Sequence, residues 1–372
     1  MAMGVEDRAG LEGLLRDLVR IESVSGAEEQ AAEFAAAWLS ERGLEVEVVE
    51  RTVIARLVGG DGPRLLLNSH LDTVPAGEGW EQDPWQVDWE QDRLVGLGAN
   101  DAKGCAAAMM WAAAGLAGRC AEAPLAGELV LALNQQEETN NRGMELVLEH
   151  LGGAPDLGVT GEPTGLEVVR AQAGLAVLEA RWRGRACHAA HVARVEHENA
   201  LLAAARELAE VPPVWTLEPA HPLLGVSTLA TTVLQAGRRH NLVPDLAEAV
   251  FDARIAAPHD ADSCLERLVE RLPSAELSVR SRRLGPVETA ADHPLVGVAL
   301  AAAGREEAIG SSTLSDMALL PGVPAVKCGP GRTERSHTPN EYITRDELAA
   351  GAAFYAAVVP GALAAVQPEN AR

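Results

Sequence analysis

Runs of apolar residues, broken by polar or glycine-rich stretches, divide the chain into short alternating elements. Apolar spacing over residues 8–42 predicts two helices. The second is opened by a capping box from Ser25 to Glu28 and runs through AAEFAAAWLSERG to Gly43. LEVEVVE alternates as a strand, and TVIARLVG and RLLLNSH read as buried strands. From Asp101 the run AKGCAAAMMWAAAGLAG predicts a long apolar helix. GELVLALNQQ reads as a strand ending in polar residues, RGMELVLEHLGG as a helix closed by glycines, and DLGVTGE as another strand. Alternation of this kind implies a layered α/β core.

The pattern changes after about Gly174. LAVLEARWRG, STLATTVLQAG, LAEAVFDARIAA and ELSVRSRR alternate as strands with one exposed face. NALLAAARELAEV and DADSCLERLVERL predict helices between them, and VPPVWTLEPAHP reads as a proline-rich link. Two helices and about four strands make a compact α+β unit inserted into the first domain. From about residue 285 the helix–strand alternation returns. It closes on a helix capped by Thr344 and Glu347, running through ELAAGAAFYAAVV. The expected domains are therefore 1–173 with 285–372, and an inserted 174–284.

At 372 residues the chain exceeds one comfortable core. Only 3% of it is aromatic, so aliphatic side chains must fill that core. No apolar stretch of spanning length stands out, and MAMGVEDRAG lacks a signal-peptide layout. The five cysteines (Cys105, Cys120, Cys187, Cys264, Cys328) are scattered and never in CxxC pairs. That points to a reducing compartment and a cytoplasmic protein. A net charge of −23 argues against nucleic-acid or anionic-membrane partners. Of the 31 basic residues only Lys103 and Lys327 are lysine. Any pocket for an anionic substrate must be locally positive against this surround, and divalent cations would supply much of that charge.

Candidate chemistry lies in five short settings: NSHLDTVP, GLGANDAKG, LNQQEET, TGEPTG and ERSHTPNE. His70 ends an apolar strand, with Asp72 two residues on and facing the same way if the strand continues. A carboxylate there would fix the histidine tautomer; the alternative is a solvated turn. Asp101 starts a helix, either as its N-cap or as a carboxylate bridging two metals. Glu137 and Glu138 form a pair at a strand end. One could ligate while the other stands over a reacting water, or both could be solvated surface. Glu162 precedes Pro163, and His337 lies in a loop before the last helix. Four of these five settings fall at predicted strand ends or strand-to-helix turns of one layer, so they can converge on one edge. Two histidines and three carboxylates suit zinc, cobalt or manganese better than calcium.

With these motifs together, nearly the whole chain resembles the zinc-dependent acylase and exopeptidase family. That family includes acetylornithine deacetylase, succinyl-diaminopimelate desuccinylase, carboxypeptidase G and aminoacylase. The resemblance implies a catalytic α/β/α domain with a mixed, mostly parallel sheet. It also implies an inserted ferredoxin-like α+β domain serving as lid and homodimer contact. It implies two divalent ions, Zn2+ or Co2+: His70 and Glu162 on one, Glu138 and His337 on the other, and Asp101 bridging. Asp72 would orient His70, and Glu137 would be the general base of amide hydrolysis.

In GRACHAAH, His188 matches a histidine that reaches the partner subunit's active site. Relatives often carry proline four residues later, where this chain has Val192; His191 leaves open a metal-binding HxxH reading. Arg254 and Asn241 match positions that hold a substrate carboxylate, and arginine's planar fork suits that task. Ser315, Asp316, Gly329, Gly331 and Arg335 match the substrate pocket. Glu162, where peptidase-type relatives tend to carry aspartate, points to an acylase. The expected substrate is a small N-acyl amino acid, as for an acetylornithine deacetylase in arginine biosynthesis. Acetylcitrulline, succinyl-diaminopimelate or a dipeptide are alternatives, and a non-catalytic binding protein is the contrasting class.

Overall fold

The computed structural model describes residues 4–366. The chain divides into two compact units. Among the described residues, one comprises 4–170, 288–309 and 315–366; the other comprises 171–287 and 310–314.

The first unit is built on a mixed sheet. Its strands run in the order Glu45–Val49, Thr52–Val58, Glu128–Asn134, Arg64–His70, Leu157–Thr160, Ala325–Lys327, with short strands beyond. The four from Glu128–Asn134 to Ala325–Lys327 are mutually parallel, and the first two strands pair antiparallel. Side chains alternate across each strand. Leu65, Leu67, Leu129, Leu131, Leu133, Leu157 and Val159 join the main core with the helices Val5–Val19, Lys103–Ala117 and Arg345–Ala365. The opposite set begins apolar, with Leu66, Val130, Ala132 and Ala325, and turns polar yet buried at the carboxyl ends: Asn68, Asn134, Thr160 and Lys327. All four parallel strands end at one edge, where polar loops of such sheets gather.

Several expectations need correction here. The helix Glu29–Ser40 starts at Glu28 without a side-chain cap, and Ser25 instead donates to Asp72 at 2.7 Å. Ala102, not Asp101, precedes the helix Lys103–Ala117. The strand Glu128–Asn134 stops before the glutamate pair, which lies in a turn. The helix Arg345–Ala365 is in fact long and apolar enough to cross a membrane by length and composition. It packs as a core helix instead, burying Leu348, Phe354, Tyr355, Val358, Val359 and Leu363. The expected capping box of Thr344 and Glu347 opens it.

The second unit is a five-stranded antiparallel sheet in the order Trp215–His221, Gly225–Ala236, Leu246–Ile255, Gly174–Arg183, Glu276–Leu284. Alternate residues such as Ala176, Leu178, Trp182, Phe251 and Ala253 form its core with Cys264 and Leu268 of the helix Ala261–Arg271. The stretch read as a proline-rich link supplies the fifth strand, Trp215–His221. It lies at the sheet edge, where Pro219 removes no ladder donor that the sheet needs.

Candidate metal centre

Every expected metal-ligating residue lies in the first unit, just past the parallel strand ends or in the loops beside them. His70 is the last residue of its strand. Its Nδ1 lies 2.9 Å from the main-chain oxygen of Asp72 and 3.5 Å from the Asp72 carboxylate. That leaves Nε2 for the centre, 3.4 Å from Asp101 Oδ1. The second oxygen of Asp101 lies 3.7 Å from His337 Nε2, which is 2.9 Å from Glu138 Oε1. One carboxylate therefore turns one oxygen to each histidine.

The Asp72 carboxylate also reaches the neighbouring turn. Its two oxygens accept the N–H groups of Glu137 at 3.1 Å and Glu138 at 3.2 Å, so it fixes the turn carrying both acids. Ligand atoms of His70, Glu137 and Glu162 lie within 4.8 Å of one another, and so do those of His70, Asp101 and Glu138.

Crowding of buried acids shapes the electrostatics. Burial, and then the neighbouring charge of Asp101, push Glu162 up to about 8. Burial and Glu162 raise the Glu137 carboxyl well above the usual range. Burial opposes charge on His70, but Asp101 and Asp72 overcome it and raise its pKa. The hydrogen bond to Glu138 pushes His337 up to about 9. A cluster of imidazole nitrogens and mutually repelling carboxylates is the donor set that divalent zinc-like ions take, so the residues fit such a group.

Residues not expected at the site hold this arrangement. Glu341, buried, accepts the N–H groups of Asn100 and Asp101, each at 2.9 Å. Asn100 in turn binds the backbone of Arg332, its Oδ1 accepting at 2.8 Å and its Nδ2 donating at 3.0 Å. The loop before His337 is thereby tied to the Asp101 turn. Glu28 accepts Gln136 N–H at 3.1 Å. Both lysines are buried. Lys103 donates to the carbonyls of Leu18 at 3.1 Å and Ile21 at 2.7 Å, and burial lowers it to about 7. The scarcity of lysine was the only advance signal for the pair.

The expected substrate residues fare differently. Arg335 lays its guanidinium on Glu347 at 2.8 and 3.0 Å and donates to the Tyr342 carbonyl. Its fork braces the loop against the last helix and is not open to an anion. Gly329 is buried, and a Cβ there would meet Cys105 Sγ, the Glu162 carbonyl oxygen and the Tyr355 hydroxyl, each at 2.7 Å. It serves close packing. Ser315 and Asp316 are buried rather than open to a pocket. In the second unit, Arg254 pairs with Asp252 at 2.9 Å, and the main-chain oxygen of Asn241 accepts from Ala189 N–H at 2.9 Å. His188 is exposed, its Nδ1 accepting from Ala190 N–H, with its ring 5.6 Å from that of His191.

A mixed sheet with this centre at its carboxyl edge defines a hydrolase of the metallopeptidase and deacylase class. The chain belongs to Peptidase family M20/M25/M40, whose model matches residues 66–360. It is 29% identical to a protein named "Probable carboxypeptidase" from Aspergillus flavus, over 94% of this chain and 86% of that one. It is 27% identical to an acetylornithine deacetylase of Vibrio atlanticus, over 89% of this chain and 93% of that one. In fold it is similar to a dinuclear metal-binding peptidase of family M20 from Bacillus subtilis. There the TM-score is 0.76 at 20% identity, covering 98% of this chain and 100% of that one.

Proposed function

We propose that this chain is a metal-dependent amidohydrolase that removes an acyl group, acetyl in the first instance, from the nitrogen of an amino acid. The reading is acetylornithine deacetylase-like, in arginine biosynthesis. The observation that carries it is the Asp101 carboxylate set between His70 and His337, with Glu138 on one side and Glu137 and Glu162 on the other. We assign His70 and Glu162 to one divalent ion, Glu138 and His337 to a second, and Asp101 to both; Zn2+ or Co2+ suits these donors. When bound, such a pair polarises an amide carbonyl and acidifies water.

The chain's own residues do the rest. Glu137, fixed by its N–H on Asp72, holds the carboxylate that takes the water proton and returns it to the leaving amine. Arg254 and Asn241 are proposed to receive the substrate carboxylate, and His188 to steady the carbonyl oxygen of a partner subunit's substrate in a homodimer formed through the second unit. Five free cysteines suit a cytoplasmic setting.

A second reading, cleavage of a C-terminal peptide bond, is favoured by the likeness to the Aspergillus flavus protein. The two separate on a panel of N-acetyl amino acids, N-succinyl amino acids and dipeptides, each assayed with added zinc or cobalt. Turnover of acetylated amino acids supports the deacetylase. Inert acetyl compounds with cleaved dipeptides replace it by the peptidase.

A further inference from the structure

Between the end of the strand Glu128–Asn134 and the start of the helix Arg142–Leu151, seven residues carry both glutamates of the centre. Asp72 holds this turn by two main-chain N–H groups. The turn is also held at its two ends, and by a residue far away in sequence. Asp316 Oδ2 accepts from Asn134 Nδ2 at 2.5 Å, and Asp316 Oδ1 accepts from Asn141 Nδ2 at 3.1 Å. Asn141 Nδ2 also lies 3.4 Å from the main-chain oxygen of Glu137. A third amide, Asn68 Nδ2, reaches Asp316 Oδ2 at 3.4 Å, and Asn68 sits two residues before His70.

Asp316 is 1% exposed, Asn68 and Asn134 fully buried, and Asn141 7% exposed. None of the four is among the residues assigned to the ions. A buried carboxylate is costly unless hydrogen bonds satisfy it. Here three amide donors do so, and all three come from segments that lead into the centre.

We propose that Asp316 is a positioning residue for the general base, setting Glu137 by pinning Asn134 and Asn141 on either side of it. This rests on the function proposed above for Glu137, but the contact can be tested apart from turnover. The test is a cycle of three variants of the full chain: Asp316→Asn, Asn141→Asp, and the two together. The first puts an amide N–H against the Asn141 donor. The second sets a carboxylate against Asp316. The pair restores one donor facing one acceptor, because the amide introduced at position 316 can turn its oxygen to Asn68 and Asn134 and its NH2 to the new carboxylate.

Two quantities are read on metal-loaded protein. Hydrogen exchange of peptides covering 135–141 should rise about tenfold in each single variant and return toward wild type in the pair. Peptides from Arg345–Ala365 should stay unchanged. On whichever panel substrate the wild type cleaves, each single variant should lose about 10- to 100-fold in kcat, as for a catalytic group shifted by an ångström. KM should move less than threefold, and the pair should recover most of kcat. Single-variant losses that simply add in the pair would overturn the proposal, as would unchanged exchange over 135–141. A wild type inert to the whole panel defeats the functional reading alone, since the exchange result still decides the role of Asp316. Should a single variant not fold, the pair, compared with wild type in exchange and kcat, still decides it.

Discussion

His337 Nε2 sits 2.9 Å from Glu138 Oε1, although 199 residues separate them and His337 stands on a loop outside the sheet. The loop is held there by Asn100 and by the small sheet in which Tyr342–Thr344 pairs with Arg93–Val95. His337→Ala should therefore remove one ligand and leave the fold intact. Elemental analysis should show bound metal falling by about one ion per chain. Catalytic efficiency should drop at least about 100-fold, since even residues that only support a ligand cost 10–100-fold.

Glu137 is argued to move a proton rather than to hold an ion. Glu137→Gln keeps the size of the side chain and removes the base. Bound metal should stay at the wild-type level while kcat falls by about 100- to 10,000-fold. Substantial residual turnover at full metal content would remove the assignment.

Lys103 closes the carboxyl end of the helix Val5–Val19 from outside, its ammonium on the Leu18 and Ile21 carbonyls. Lys103→Met fills similar space without the donors. Urea unfolding should show a loss of about 1–3 kcal/mol, the usual cost of stranding buried acceptors.

Asp316 has its own signature in acid. Burial raises it from 3.8 to about 6, against the opposing hydrogen bonds of Asn134 and Asn141. The folded protein therefore keeps a proton that the unfolded chain has released between those values. The stability this group contributes is complete below pH 3.8 and disappears as pH rises through 6. Two pH units correspond to about 3 kcal/mol. The difference in unfolding free energy between wild type and Asp316→Asn should change across pH 4 to 6.5 and be flat above it. A difference independent of pH throughout would show that Asp316 does not titrate there.

Much of this centre was legible in advance because a parallel sheet makes strand ends meaningful. His70 and Glu162 could be placed from the apolar runs RLLLNSH and DLGVT, since those runs end where the sheet does. The turn holding Glu137 and Glu138 was not, because apolar alternation says nothing about a segment fixed by another carboxylate's hydrogen bonds. Ser25 misled for a related reason: a hydroxyl three residues before a glutamate suits a helix start, but Asp72 competes for it and wins. Proline suggested a link at 211–222, yet an edge strand tolerates it. Glu341 and Asp316 were invisible as anchors, since their partners are main-chain groups and amides brought together only by folding.

Both lysines lie inside the folded chain, Lys103 at 0% and Lys327 at 2% exposure. Reagents that acylate side-chain amines will thus find neither target while the protein is intact. Lysine labelling becomes a counter of opened molecules, and side-chain coupling of the intact protein to a surface is better directed at its many exposed carboxylates.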